Sequence, residues 1–595
     1  MEDPERPVLT NGVNGHAARR DAGSDSHPAS GSEGCPGCMR QMSSWIPAAY
    51  EVEMVQILKL AGPVVISQLM IFTISFVSTV FCGHLGKTEL GAVALALSVI
   101  NVTGISIGSG LASACDTLIS QTFGSGNLKL VGVILQRGIL ILLLACFPCW
   151  ALLINTRPIL LAVRQSPEVA RLSQLYVMIF LPALPAAFMY MLQGRYLQNQ
   201  GIIWPTVAVG LVGNFLNALI NYLFLFVLDL GVAGSAGANA ISQYSLAVLL
   251  YCYIVSQDLH KATWEGWSAD CLQEWGQFIK LAIPSMLMLC LEWWTFEIGG
   301  FLAGLISEVE LGAQSVVYQL TIIFYMFPLG FSVAASVRVG TALGAGNTEQ
   351  AKLSGKIAVI CGVIVSCFVA MIIILSRNVI GYIFTTEQDI VNRVGDINLV
   401  YGFCHLVDGI VCVASGIVRG AGKQMIGAWL NLVGHYLIGL PIGISLTFAT
   451  KMGILGMWTG LSFCLSFQSV FFIVMLCKMD WMKATQEALV RVGVEHLKKK
   501  DEQIGLEDKG WSKGVPEAAG GPGDVKKDVD RTDGAEGGAE GGAEVKGGGE
   551  VEEQPVGLVL TFRQVLLRRG LAVLVMFLIL TAGIVLSEVF TNLLM

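Results

Sequence analysis

The sequence predicts an all-α polytopic membrane protein made of two parallel six-helix repeats plus a thirteenth, C-terminal transmembrane helix. Three observations carry this: an apolar composition, roughly thirteen long apolar runs, and an internal repeat of about 221 residues. Hydrophobic residues make up 54% of the 595-residue chain and charged residues 14%, with a mean hydropathy of +0.65. Soluble globular chains are not composed this way.

A bilayer core takes about 20 apolar residues per helix. Runs of that size or longer occupy about 55–83, 90–115, 131–154, 172–194, 203–227 and 232–256. A second set lies at 276–303, 309–335, 354–376, 394–418, 424–449 and 453–477, and one more at 567–591. Backbone polar groups in lipid must be satisfied within the segment, and the alternation of a β-barrel is absent, so these runs are predicted to be helices.

The repeat appears when the chain is slid against itself. "KLAGP" at Lys59–Pro63 matches "KLAIP" at Lys280–Pro284, and "ELGA" at Glu89–Ala92 recurs at Glu310–Ala313, both shifted by 221. "GSGN" at Gly124–Asn127 returns as "GAGN" at Gly344–Asn347, shifted by 220, and "LVG" at Leu211–Gly213 recurs at Leu432–Gly434. Four matches in one order at nearly one offset indicate a duplication. The period holds six helices, an even number, so both halves start on the same side and are parallel repeats about an axis along the membrane normal. Transporters that alternate access use this plan, although a duplication can also be kept for folding alone.

The expected organisation is an N-terminal cytoplasmic tail (1–54), a first six-helix lobe (55–256), a cytoplasmic linker (257–275) and a second lobe (276–478). An acidic Gly-rich cytoplasmic linker (479–566) and the last helix (567–591) complete it. The first residues carry no signal-peptide pattern. Lys498, Lys499 and Lys500 after the twelfth run, and Arg568 and Arg569 before the thirteenth, place those ends and the N-terminus in the cytoplasm and Met595 outside. The net charge of −7 comes largely from tails and linker, where "GAEGGAEGGAEVKGGGEVEE" is low-complexity tether.

Most ionisable residues lie near run ends, where snorkelling lowers their cost. Glu292 and Glu297 do not, nor do Asp408 and His405. An ionised acid at mid-bilayer costs about 2.5–3.5 kcal/mol on insertion scales. Keeping a glutamate protonated at neutral pH costs about 3.7 kcal/mol. A carboxyl in this balance suits exchange of a proton for a cation, and the alternative is a permanent hydrogen bond to a neighbouring helix. Glu292 and Glu297 are five residues apart, about 140° around a helix, so they do not point into one cavity together. His405 and Asp408 are three apart and share a face, so the imidazole could partner the carboxyl. Trp293 and Trp294 sit too deep for an interfacial belt, and serve either as packing or as a wall for a cation. Asp116 and Arg338, toward run ends, are taken as structural. The first half is polar without net charge, through Gln68, Asn101, Gln193, Asn214, Asn217 and Asn221.

Other chemistries find little support. The fifteen cysteines are scattered; the pairs Cys35/Cys38 and Cys146/Cys149 lack a second pair or a nearby His, so no metal and no cofactor is expected. "GISIG" (104–108) and "GWSKG" (510–514) match a nucleophile motif but lack its strand-to-helix setting, so no enzyme is expected. Asn101-Val-Thr103 matches a glycosylation pattern inside an apolar run. No charge ring or filter loop suggests a channel.

"CLEWWTFEIG", "ELGAQSVVYQL", "FSVAASVRVGTALGAGN" and "HLVDGIVCVASGIVRGAGKQ", together with the duplication, resemble the multidrug and toxin extrusion (MATE) transporters over about residues 50–480. The thirteenth helix, the acidic linker and "PSMLMLCLEWW" resemble the vertebrate members, the kidney and liver organic-cation exporters nearest. The resemblance implies proton-coupled export of organic cations and cationic drugs at an apical plasma membrane, by a multi-pass protein expected to be monomeric and to bind no nucleic acid. It places the family's proton- and cation-binding acids at Glu292, Glu297 and Asp408. It matches the family's polar first-half positions to Gln68 and Asn101, and with these the supporting cavity is expected at Trp293, Trp294, Tyr318, Gln319 and His405. Close vertebrate members have an acid where this chain has Gln319, a departure that bears on substrate range. Sodium coupling, or a flippase for lipid-linked precursors, are the rival functions; the flippase would want a basic cavity.

Overall fold

A computed structural model describes residues 47–83, 85–493 and 561–594. The chain divides into two units, Met1–Glu51, of which 47–51 are described, and Val52–Met595. Among the described residues the regular structure is helical, and thirteen helices are long and apolar enough to cross a membrane. The first half comprises α1 (Ala48–Gly83), α2 (Thr88–Gly124), α3 (Leu128–Ile154), α4 (Pro167–Gln198), α5 (Trp204–Val227) and α6 (Gly231–Ser256). The second comprises α7 (Trp275–Gly304), α8 (Glu308–Gly344), α9 (Thr348–Ser376), α10 (Gln388–Ala421), α11 (Gln424–Ala449) and α12 (Ile454–Lys478). A short α13 (Trp481–Val492) comes next, and the thirteenth span is α14 (Phe562–Leu594).

Several helices outrun the apolar stretches: α8 continues to Gly344 rather than 335, and α1 starts at Ala48 rather than 55. The i→i−4 ladder needs no lipid, and the charges in these extensions find partners. Glu53, 2% exposed, accepts from both Arg338 Nε (2.9 Å) and Nη2 (2.5 Å), from Gln350 Nε2 (2.6 Å) and from Ser354 Oγ (2.7 Å).

Deviations from α geometry have local causes. In α4 a 3₁₀ turn spans Leu181–Ala183, with Pro182 inside it and Pro185 two residues beyond. The carbonyls that it and the proline nitrogen release are taken by Trp150 Nε1 (3.0 Å) and Tyr244 OH (2.8 Å). A π turn at Asn101–Ile105 interrupts α2, where Thr103 and Ser106 donate back to Val99 O and Val102 O.

The duplicated motifs have a structural meaning. Gly126 and Gly346 adopt φ of 81° and 76°, which glycine accepts freely. Asn127 and Asn347 then cap α3 and α9 by accepting from Leu130 N and Gln350 N. The two halves meet by the same symmetry. Gly110 of α2 lies against Met286 of α7, and Gly330 of α8 lies against Val65 of α1. Where α2 crosses α8, Gly124 faces the carbonyl of Thr341 and Gly344 faces the carbonyl of Gln121, so a side chain at either would meet backbone.

The α2–α8 crossing lies at the end where α1 begins and α12 ends, here termed the tail end. Thr117 Oγ1 donates to Arg419 O (2.6 Å) and Gln121 Nε2 to Gly420 O (2.9 Å) there, again joining the halves. One buried apolar cluster fills the first half and includes the start of α7 at Trp275 and Phe278; a second fills the rest of the second half.

The linker expected from 479 begins instead with a helix. Asp480 caps α13 by accepting from Lys483 N (3.0 Å), Gly493 ends it at φ 77°, and Ala484, Thr485, Ala488 and Val492 form its buried face. The thirteenth span packs on α3: Asn155 Nδ2 donates to Gly583 O at 2.9 Å, and Gly583 lies against Ala151. Arg569 donates to Leu272 O at 2.9 Å and stacks 4.2 Å over Trp275. Cys35, Cys38, Lys498, Lys499, Lys500 and the 510–514 motif lie outside the described residues.

Candidate functional site

The acids of α7 are held by α8. Tyr318 and Tyr325 are seven residues apart, two turns, and so share a face of α8. The neighbouring α7 offers Glu297 and Glu292 to that face in the opposite sense. Tyr325 OH donates to Glu292 Oε1 at 3.0 Å and Tyr318 OH to Glu297 Oε1 at 3.3 Å. Both carboxyls and both phenols are half-buried. The 140° between the two acids therefore resolves into separate partners rather than one shared cavity.

Glu297 also accepts from Ser98 Oγ of α2 at 2.6 Å, which makes it a bond between the halves. Trp294 Nε1 reaches Val102 O at 3.2 Å in the π turn of α2, so this indole closes on the first half. Trp293 is half-buried. The nearer aromatic wall is formed by Phe296, 6.3 Å from the Tyr318 ring and 6.1 Å from that of Trp458.

Asp408 is 8% exposed and makes no hydrogen bond among the described residues. It lies close enough to Glu292 for the two charges to act on each other, and Arg419 acts on Glu292 from the tail side. The pairing expected between His405 and Asp408 is absent. Helical side chains lean toward the helix N-terminus, so the buried imidazole turns back one turn to Tyr401, whose hydroxyl is 3.4 Å from Nδ1. His405 Nε2 is buried without a hydrogen-bond partner among the described residues.

The remaining expected positions divide. Gln319, half-buried beside Tyr318, makes no hydrogen bond among the described residues. Gln68 is half-buried on α1, and Asn101 is exposed at the start of the π turn; neither side chain bonds to the acids. Asn217 and Asn221 tie α5 to Ser78 of α1 and Ser242 of α6, and Asn214 caps Met70 O, so these amides hold the first half together. Asp116 accepts from Arg195 (2.8 Å) and Asn199 (3.1 Å) within the first half.

Tyr325, Ser98 and Arg419 escaped the sequence reading. The seven-residue spacing of the α8 tyrosines was the available signal for Tyr325; nothing local marks Ser98. Ser106 of "GISIG" donates to Val102 O inside α2, and Cys146 donates to Leu142 O inside α3.

The MatE family model matches residues 63–223 and again 284–445, two copies offset by the same period as the sequence repeat. The chain belongs to the MatE family. It is 67% identical over 560 residues to multidrug and toxin extrusion protein 1 of Danio rerio, covering 93% of each chain. It is 51% identical over 539 residues to that of Homo sapiens, covering 90% of this chain and 94% of the relative. The crystal structure of the eukaryotic MATE transporter AtDTX14 superposes with a TM-score of 0.72 at 30% identity, over 75% of this chain and 100% of that one. The Vibrio cholerae MATE transporter VcmN shares the fold at 16% identity, with a TM-score of 0.65 over 73% of this chain and all of its own. This MatE chain is thus a multi-pass membrane transporter of the multidrug and toxin extrusion kind, and its relatives are transporters rather than enzymes.

Proposed function

We infer that this MatE transporter is a proton-coupled antiporter that exports organic cations and cationic drugs by alternating access. Glu292 is the group over which proton and cation compete, with Asp408 beside it. The observation that carries this is how few protein hydrogen bonds hold the pair. Glu292 has one phenol at 3.0 Å and Asp408 no hydrogen bond among the described residues, in the middle of apolar spans. Buried carboxyls so lightly held want either a proton or a cation.

In the cycle, ionised Glu292 attracts the cation while Phe296, Tyr318 and the tryptophans cover its apolar part. A proton arriving at Glu292 removes the electrostatic hold, and the cation leaves. Glu297 acts differently: its bond to Ser98 reads protonation into the contact between halves. A ligand drives such a cycle only through its different affinity for the two states.

The proposed setting is the plasma membrane, apical in polarised epithelia, with the tail end in the cytoplasm and the C-terminus outside. The halves are joined at the tail end by Glu53–Arg338 and the α2–α8 crossing, so in this reading the form is closed on its cytoplasmic side.

The test is uptake of labelled tetraethylammonium into vesicles bearing the protein, with pH and sodium gradients imposed separately. Accumulation driven by pH alone, and lost in Glu292→Gln at equal protein abundance, is expected. Accumulation driven by sodium alone would turn the reading to sodium coupling, and untouched Glu292→Gln transport would remove Glu292 from the mechanism.

A further inference from the structure

At the tail end a shallow pocket, open to one side, lies between α2, α3, the start of α7 and α13. Its polar lining is Gln121, Thr122, Arg137, Glu274, Gln277 and Arg491. Arg137 is 4% exposed, donates through Nη2 to Asp270 O at 3.3 Å, and stands 3.8 Å from Glu274. Its Nε is buried without a hydrogen-bond partner among the described residues. The Glu274 side chain is half exposed, so this long contact leaves the buried guanidinium under-satisfied.

Arg491 faces the same space. Its Nη1 donates to Gln121 Oε1 at 2.8 Å, and its Nη2 lies 3.4 Å from Glu487 Oε2. That same carboxylate oxygen sits closer to Lys423 Nζ, at 2.6 Å, so little of its charge is left for Arg491. Burial pushes the Arg491 guanidinium below its ordinary value, with Glu487 opposing. The two guanidiniums thus have only loosely held carboxylates, Glu274 for Arg137 and the shared Glu487 for Arg491, and Gln277 adds an amide with no side-chain hydrogen bond among the described residues. Arg569, stacked on Trp275 next to Glu274, brings further positive charge to the flank of the pocket.

We propose that this pocket is a binding site for a phosphate-bearing anion, held between Arg137 and Arg491. Planar guanidinium forks match phosphate oxygens, and charge-assisted bonds of this kind are the strong ones. Two sources share the chemistry: the headgroup of an anionic phospholipid, or free phosphate. The site has a conformational consequence. Lys423–Glu487 and the Thr348–Thr485 contact anchor α13 to the second half, while Arg137 belongs to the first. An anion gripped by both arginines favours the form in which the tail end is closed. None of this depends on the cation site or on proton coupling.

The experiment uses the full-length protein in nanodiscs. Its thermal midpoint is followed in phosphatidylcholine discs on titration with sodium phosphate against sodium chloride at matched ionic strength. It is also followed in discs of phosphatidylcholine mixed with phosphatidylglycerol. A rise with phosphate identifies the free anion, and a rise only with phosphatidylglycerol identifies the lipid. In either case Arg137→Gln and Arg491→Gln are expected to weaken the response at least about tenfold. Arg491, at the pocket's edge, is the replacement expected to fold, and it decides the matter if Arg137→Gln does not. No rise from either source, or a full response in Arg491→Gln, overturns the proposal.

Discussion

Glu297 accepts a 2.6 Å hydrogen bond from Ser98, and the two residues belong to different halves of the duplicated chain. This is the one hydrogen bond that ties a membrane-buried acid of the second half to a side chain of the first among the described residues. A bond from a hydroxyl to an ionised group contributes about 1.5–3 kcal/mol. Ser98→Ala is therefore expected to reduce pH-driven uptake severalfold without lowering protein abundance. In a Glu297→Gln background the same replacement should add little, because its acceptor has already lost its charge. Additive losses in such a double-mutant cycle would separate the two residues functionally.

The Glu53–Arg338 pair joins α1 to α8 with Glu53 buried and the Arg338 side chain 29% exposed. Breaking a fully buried pair from one side costs about 3–5 kcal/mol, and the partial exposure of Arg338 places this one below that range. Glu53→Gln is expected to lower the thermal midpoint by several degrees, and Glu53→Gln with Arg338→Gln to recover part of the loss. A single replacement without thermal effect would show that the tail end is held by its other contacts.

Gln319 follows Tyr318 on α8, half-buried and about 100° around the helix from it. Gln319→Glu adds a carboxylate there, worth up to about 4 kcal/mol toward a cation 4 Å away at an effective dielectric constant of 20. After desolvation costs, the expected outcome is a KM for tetraethylammonium lower by about tenfold, with kcat falling as release slows. An unchanged KM would place Gln319 outside the cation path.

Truncation separates the role of α13 from that of α14. A chain ending after Gly493 keeps the docked helix and is expected to transport normally once delivered to the membrane. A chain ending after Lys478 loses the Arg491–Gln121 and Glu487–Lys423 contacts and is expected to transport poorly. Equal activity of the two would make α13 dispensable, and inactivity of the first would give α14 a role in transport.

Much of this was legible in the sequence because bilayer thickness and the 221-residue period are long-range signals. The thirteen spans, the duplication and the isolation of Glu292, Glu297 and Asp408 all derive from them. The features that stayed hidden depend on side-chain direction and on contacts between distant segments. His405 shares a face with Asp408, yet its ring leans the other way to Tyr401. Ser98 is one serine among many until α7 is placed against α2. The extension of α1 to Glu53 was hidden because an acid reads as the end of a span, whereas Arg338 lets it continue. The helix after Asp480 was masked by the acidic, Gly-rich composition downstream.

Where α2 crosses α8, each glycine presses on the backbone one turn from its own duplicate. Elsewhere the copies are free to drift, as the confinement of the membrane acids to one copy illustrates. At the crossing a bulkier residue in one copy collides with the sister segment, and no compensating change within the same copy can relieve it. The axis of the duplication is thus the place where the two halves must keep evolving as a pair.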